Sequence, residues 1–146
     1  MRIFTLGTSN RSPAEFLAVL RAYEIRIVAD VRRFPTSRRF EHFRRENLAR
    51  LLVENQIEYV FLGAELGGYR QDGYEAHMRS DTFQAGVSRL EWLVGAGNVT
   101  IICAEKTPER CHRRHVARYL AERGWDVQHI IDADDVRPES GQPSLF

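Results

Sequence analysis

The residues best suited to covalent or acid–base chemistry fall in one short stretch, Cys103-Ala104-Glu105-Lys106-Thr107-Pro108-Glu109-Arg110-Cys111-His112-Arg113. Cys103 closes an apolar run, and Cys111 and His112 fall at the start of a helical pattern, in its expected first turn. Unpaired amide hydrogens and the helix dipole there favour an anion or a thiolate. The stretch therefore reads as a reactive cysteine, Cys103, beside a proton-transferring His112, with Lys106, Cys111 and Arg113 holding a negative group. The competing reading is that the cysteines only pack against one another. Zinc needs three or four placed ligands, and this spacing matches no short zinc knuckle, so no metal and no cofactor are expected. A redox pair is open, although the seven residues between the cysteines differ from a two-residue dithiol loop. A structural disulfide is not expected in a chain read as cytosolic.

Carboxylates and arginines stand at other points that could share the site. Asp30 ends an apolar run directly before Val31-Arg32-Arg33, and reads as a general base or as a structural partner of an arginine. Glu105, and with it Glu65, keeps acid–base work possible without a metal. Thr8-Ser9-Asn10-Arg11 follows the first apolar run and is expected to cradle a phosphate, although the Walker lysine and the dinucleotide glycine series are missing. Gly67-Gly68-Tyr69-Arg70 brings main chain close to a ligand or forms a tight turn. Arg32, Arg33, Arg38, Arg39, Arg44, Arg45 and Arg50 crowd one stretch opposed by Glu41 and Glu46, a candidate phosphate-facing surface. Phe34, Phe40, Phe43, Tyr69 and Tyr74 interleave with arginines as base-stacking surfaces do.

The elements that must position these residues alternate. Strands are expected at Ile3–Leu6, Ile25–Val31, Ile57–Leu62, Val99–Cys103 and Val127–Ile131. Helices are expected after Ser12-Pro13-Ala14-Glu15, a capping box with proline at the first position, and over 46–55, 82–94 and 110–123, with a short helical piece near 75–78. Residues 63–74 read as a glycine-rich loop, and from Asp132 onward as a polar tail. The economical fold is a three-layer α/β sandwich with a mostly parallel sheet of about five strands. Ligands gather beyond the carboxyl ends of such strands, and that edge holds most of these unusual polar residues.

Bulk properties agree with one domain. The 146 residues, 43% hydrophobic and 28% charged, suit a single core, read as a domain over 1–136 and a tail over 137–146. No apolar run approaches the roughly 20 residues that span a bilayer, and no secretion signal is visible at the start, so no membrane partner and a cytoplasmic location are expected. The net charge of +1 hides a bias: of 21 basic residues, Lys106 is the one lysine. Arginine suits phosphate and carboxylate, although GC-rich coding produces the same bias.

Thr5-Leu6-Gly7-Thr8-Ser9-Asn10-Arg11, Asp30-Val31-Arg32-Arg33-Phe34-Pro35 with Ser37 and Arg38, Leu66-Gly67-Gly68, and Cys103-Ala104-Glu105-Lys106 with Cys111-His112-Arg113 together resemble the DUF488 family of uncharacterised bacterial and archaeal proteins. The resemblance implies an α/β fold and an arginine-rich pocket. Separately, Gln142-Pro143-Ser144-Leu145-Phe146 resembles the short peptide with which bacterial DNA polymerases and repair proteins hold the sliding clamp. Gln142, Leu145 and Phe146 would then bind that partner, and the chain would be a DNA-maintenance protein that binds DNA or a nucleotide and hydrolyses a phosphodiester or N-glycosidic bond. Two other functions are open: a DNA-binding accessory module without catalysis, and a thiol-dependent or sulfur-transfer enzyme for a small anionic metabolite.

Overall fold

The computed structural model describes residues 1–36 and 39–139. Arg38, Gln142, Leu145 and Phe146 lie outside the described residues. Strands β1 (Arg2–Gly7), β2 (Ile27–Asp30), β3 (Glu58–Phe61), β4 (Val99–Cys103), β5 (Asp126–Asp132) and β6 (Asp135–Pro138) form one sheet in the order β3-β2-β4-β1-β5-β6. All pairs are parallel except β5 with β6. The helices are α1 (Pro13–Ala22), α2 (Arg45–Glu54), α3 (Gly63–Leu66), α4 (Tyr74–Met78), α5 (Asp81–Leu93) and α6 (Arg113–Glu122).

Alternation along the strands sorts side chains onto two faces. Phe4, Leu6, Val28, Ile102 and Ile130 pack with Phe16, Leu20, Leu48 and Leu52 of α1 and α2. Ile3, Ala29, Ile101, Cys103 and Val127 pack with Leu66, Phe83, Leu90, Val116 and Leu120 of α3, α5 and α6. Helices thus cover both faces, the three-layer sandwich expected from the alternation of elements.

Ser12 caps α1 with its side chain accepting from Glu15 N–H while Glu15 accepts from Ser12 N–H. Other elements differ from the sequence reading. Residues 63–66, expected as loop, make one helical turn, because the Leu66 and Gly67 amides reach back to Leu62 and Gly63 carbonyls. The chain after Asp132 does not decay into a tail at once: it turns back as β6 on the open edge of β5, and Glu139 N–H donates to Val127. Regular structure so continues past the expected boundary at residue 136, and the sheet has six strands. The last helix starts at Arg113, so Cys111 and His112 precede it, behind a 3-10 turn at Pro108–Arg110. Among the described residues no helix is long and apolar enough to cross a membrane.

β1 and β4 are neighbours, yet the helix after β1 lies on one face and the helix after β4 on the other. Such a switch point opens a crevice at the carboxyl ends of the strands. Here main chain bridges the base of the crevice: Thr8 and Ser9 N–H donate to Cys103 and Ala104 carbonyls, at 2.7 and 2.9 Å. A β-carbon on Gly7 would run into the Glu105 carbonyl. A cavity lies to the side, over the ends of β4 and β2.

Candidate functional site

That cavity, about 480 Å³, is lined by Arg32, Arg33, Phe34, Gly68, Tyr69, Cys103, Ala104, Glu105, Arg110, Cys111 and His112. The fold therefore brings together segments near residues 32, 68 and 103–112. A second hollow of about 400 Å³ holds Thr8, Ser9, Asn10, Lys106, Arg39, Phe40 and Phe43, and shares Arg32, Ala104 and Glu105 with the first.

The sulfurs of Cys103 and Cys111 meet as a bonded pair on the cavity wall, where no structural disulfide was expected and a redox pair was open. The turn at Pro108–Arg110 folds Cys111 back over the end of β4, a closure that residue spacing does not reveal. Both cysteines are buried. Arg113, fully buried, donates from Nη1 to Cys103 Sγ at 2.7 Å and to the Glu105 carbonyl at 2.6 Å, and from Nη2 to the Lys106 carbonyl at 3.0 Å. No described carboxylate forms an ion pair with it, and its Nε is buried without a partner. Burial lowers its pKa to about 10, so the guanidinium remains charged at neutral pH. Cys111 Sγ accepts from Arg113 N–H at 3.4 Å, a sulfur cap on the first residue of α6.

His112 lies against Cys111, with Nδ1 3.8 Å from Cys111 Sγ. Its Nε2 is 3.0 Å from the Val31 carbonyl, which can only accept, so Nε2 carries the proton. Burial pushes the His112 pKa down, which leaves the ring neutral at pH 7 and Nδ1 a lone-pair base. Tyr74, read from the sequence as one of the interleaved stacking aromatics, lies 5.7 Å from the His112 ring, centre to centre, and donates to the Leu66 carbonyl. On the other side Gly68 admits the ring: a β-carbon there would stand 3.2 Å from His112 Nδ1.

Most of the expected anion binders turn inward. Asp30, fully buried, accepts from Arg32 N–H and Nε at Oδ1, and from Arg32 Nη2 and Tyr59 O–H at Oδ2. Arg32 gives its remaining nitrogen, Nη1, to the Phe43 carbonyl. Asp30 is thus the structural partner of an arginine, and Tyr59, which the sequence reading missed, completes the group. Arg11 donates to Gly7, Ile131 and Asp132, on the β5 side of the sheet. Arg70 donates to the Gly67 and Ala64 carbonyls, Gly67 itself ending α3. Lys106 pairs with Asp132 at 3.5 Å. The Thr8 and Ser9 amides are spent on the β4 loop, as described, and Asn10 is exposed. Arg33 donates from Nη1 to the Tyr69 carbonyl. Glu105 and Arg110 present exposed side chains to the cavity. Among the described residues no group of three or more His, Cys, Asp or Glu is placed to hold a metal ion.

Compared with family models, residues 12–120 match the domain of unknown function DUF488. The chain belongs to the DUF488 family. The matched segment contains Asp30–Phe34, Gly67-Gly68 and Cys103–Arg113, while Thr8–Arg11 precede it. Neither the curated proteins nor the solved structures yield a match. In this DUF488 chain the cavity is lined by the Cys103–Cys111 sulfur pair and the neutral His112 imidazole, with the buried Arg113 guanidinium behind Cys103.

Proposed function

We propose that the chain is a thiol-dependent enzyme in which Cys103 and Cys111 form a dithiol–disulfide couple for a small anionic sulfur compound. The observation that carries this reading is the buried Arg113 guanidinium, 2.7 Å from Cys103 Sγ and without a described carboxylate partner. A buried cation calls for a counter-charge, and the thiolate of Cys103 is the group in place to supply it.

The chemistry follows from the two cysteine environments. His112 Nδ1 takes the proton of the Cys111 thiol. The Cys111 thiolate attacks one sulfur of a substrate disulfide, forming a mixed disulfide and releasing the other sulfur as a thiolate that takes the proton back from His112. Cys103, held as thiolate by Arg113, then attacks the Cys111 sulfur, forming the Cys103–Cys111 bond and releasing the second thiolate. The substrate gains two electrons and the dithiol loses two; an external thiol reduces the pair again. A stabilised thiolate is both the ready nucleophile and the better leaving group. Glu105 and Arg110 line the mouth, and Asp30 positions Arg32.

The test is thiolate absorbance titration of the reduced protein beside Cys103→Ser and Cys111→Ser, with glutathione disulfide as probe. The expected result is a thiolate formed well below the ordinary thiol value of about 8.5 and a mixed disulfide trapped on Cys111 in Cys103→Ser. Ordinary titration of both thiols, with no trapped adduct, would sink the proposal.

A second reading takes the two hollows, which share Arg32, Ala104 and Glu105, together as one groove from Arg110 to Arg39 along the sheet edge. In it the chain is a DNA-maintenance protein: DNA or nucleotide phosphate lies in the groove, and Glu105 and His112 assist hydrolysis of a phosphodiester or N-glycosidic bond. Gln142, Leu145 and Phe146 dock on the sliding clamp. A non-catalytic module would use the same groove only to grip phosphate. Titration of a bacterial sliding clamp with the full chain and with a chain ending at Ser140 tests it. Binding lost on truncation supports recruitment, and no binding by either form removes it.

A further inference from the structure

The mouth of the cysteine cavity carries a feature that thiol chemistry does not use. Phe34 and Tyr69 are 63% and 86% exposed, the largest outlay of bare aromatic surface at the site. Their ring centroids lie 6.0 Å apart at 35°, and the Arg33 guanidinium packs 5.5 Å from the Phe34 centroid. Tyr69 stands in the left-handed region at φ 60°, a cost for a bulky side chain. Arg33 holds it there, Nη1 donating to the Tyr69 carbonyl at 3.1 Å. Ser9, Glu24 and Gln56 share that conformation; Glu24 and Gln56 each follow a helix end, where a left-handed residue closes the helix, and Ser9 is a small residue in the loop after β1. Tyr69 is the one aromatic among the four, and at the cavity mouth the strained backbone presents its ring to the opening.

The charge beside these rings is positive. Arg110 is exposed on the cavity wall and makes no side-chain hydrogen bond or ion pair with a described residue, and Arg33 spends one terminal nitrogen. Glu105 is the one acidic residue in the lining. Stacking surface next to arginine is the chemistry that recognises a planar base joined to a phosphate, and about 480 Å³ lies within the range of small-molecule pockets.

We infer that the substrate of the Cys103–Cys111 site is a sulfur-bearing nucleotide, its base stacked on Phe34 and Tyr69 and its phosphate held by Arg33 and Arg110. This rests on the thiol reading of the same cavity. The nucleotide is either free or one unit of a strand.

Calorimetric titration of the reduced full-length protein with adenosine 5′-monophosphate, ribose 5-phosphate and a trinucleotide tests it. The monophosphate should bind about tenfold tighter than ribose 5-phosphate, the stacking contribution of one base. Tyr69→Leu should remove that difference, and Tyr69→Phe should keep it. Arg110→Gln should weaken both ligands. A trinucleotide much tighter than the monophosphate assigns the site to strands; equal affinity assigns it to free nucleotides. Equal binding of monophosphate and ribose phosphate, or an unchanged Tyr69→Leu, would overturn the inference. The thiolate titration separates the two proposals: selective base binding with ordinary thiols refutes the thiol reading and, with it, the sulfur-bearing substrate, leaving a bare nucleotide site, and low-titrating thiols with no base selectivity refute the nucleotide alone.

Discussion

Arg113 Nη1 stands 2.7 Å from the sulfur of Cys103 and 2.6 Å from the carbonyl of Glu105, so one buried guanidinium holds both a cysteine and the loop behind it. Replacing it separates charge from shape. In reduced Arg113→Met, Cys103 loses its cation and should alkylate about tenfold more slowly at neutral pH, the effect of one pKa unit. Arg113→Lys should fall between, because lysine keeps the charge without the planar fork. The pH dependence of iodoacetamide alkylation reads both.

His112 makes the fold sensitive to acid. Its pKa is lowered in the folded state, chiefly by burial and against the Val31 hydrogen bond, so below about 6.5 the unfolded chain binds the proton first. Stability is therefore full above that pH and declines as pH falls toward the folded-state value. His115 and His129 are shifted the same way, again with burial as first cause, and add to the slope. Urea unfolding at pH 7.5 and pH 5 should show the loss, and His112→Gln should reduce it.

Asp30→Asn should act on stability first. The substitution leaves Arg32 buried beside a neutral group and disturbs the Tyr59 bond, which costs about 3–5 kcal/mol for a broken buried pair. Adding Arg32→Met should recover much of that, because no buried cation is left unpaired. A double-mutant cycle in urea measures the coupling.

Gly7→Ala should disable the site from a distance. Its β-carbon would occupy the place of the Glu105 carbonyl and press on the α-carbon of Lys106, displacing the loop that Arg113 grips. Both the melting temperature and the alkylation rate of Cys103 should drop. Gly95→Ala, whose β-carbon meets nothing within 4 Å, should leave both unchanged.

What local sequence encodes was readable without coordinates. The Ser12–Glu15 box and the alternating strand and helix patterns each depend on residues a few positions apart, and so the α/β class followed from periodicity and capping. The roles of the side chains at the carboxyl edge did not follow. Arg11 looks like a phosphate ligand by position, yet Asp132 takes it from 121 residues away. Arg32 turns onto Asp30 because β3 carries Tyr59 alongside and the Phe43 carbonyl lies within reach. Cys103 and Cys111 meet because the turn at Pro108–Arg110 brings the chain back over β4. Sequence sets which donors and acceptors exist. Only packing in three dimensions decides which of them satisfy one another, and which remain at the cavity for a ligand.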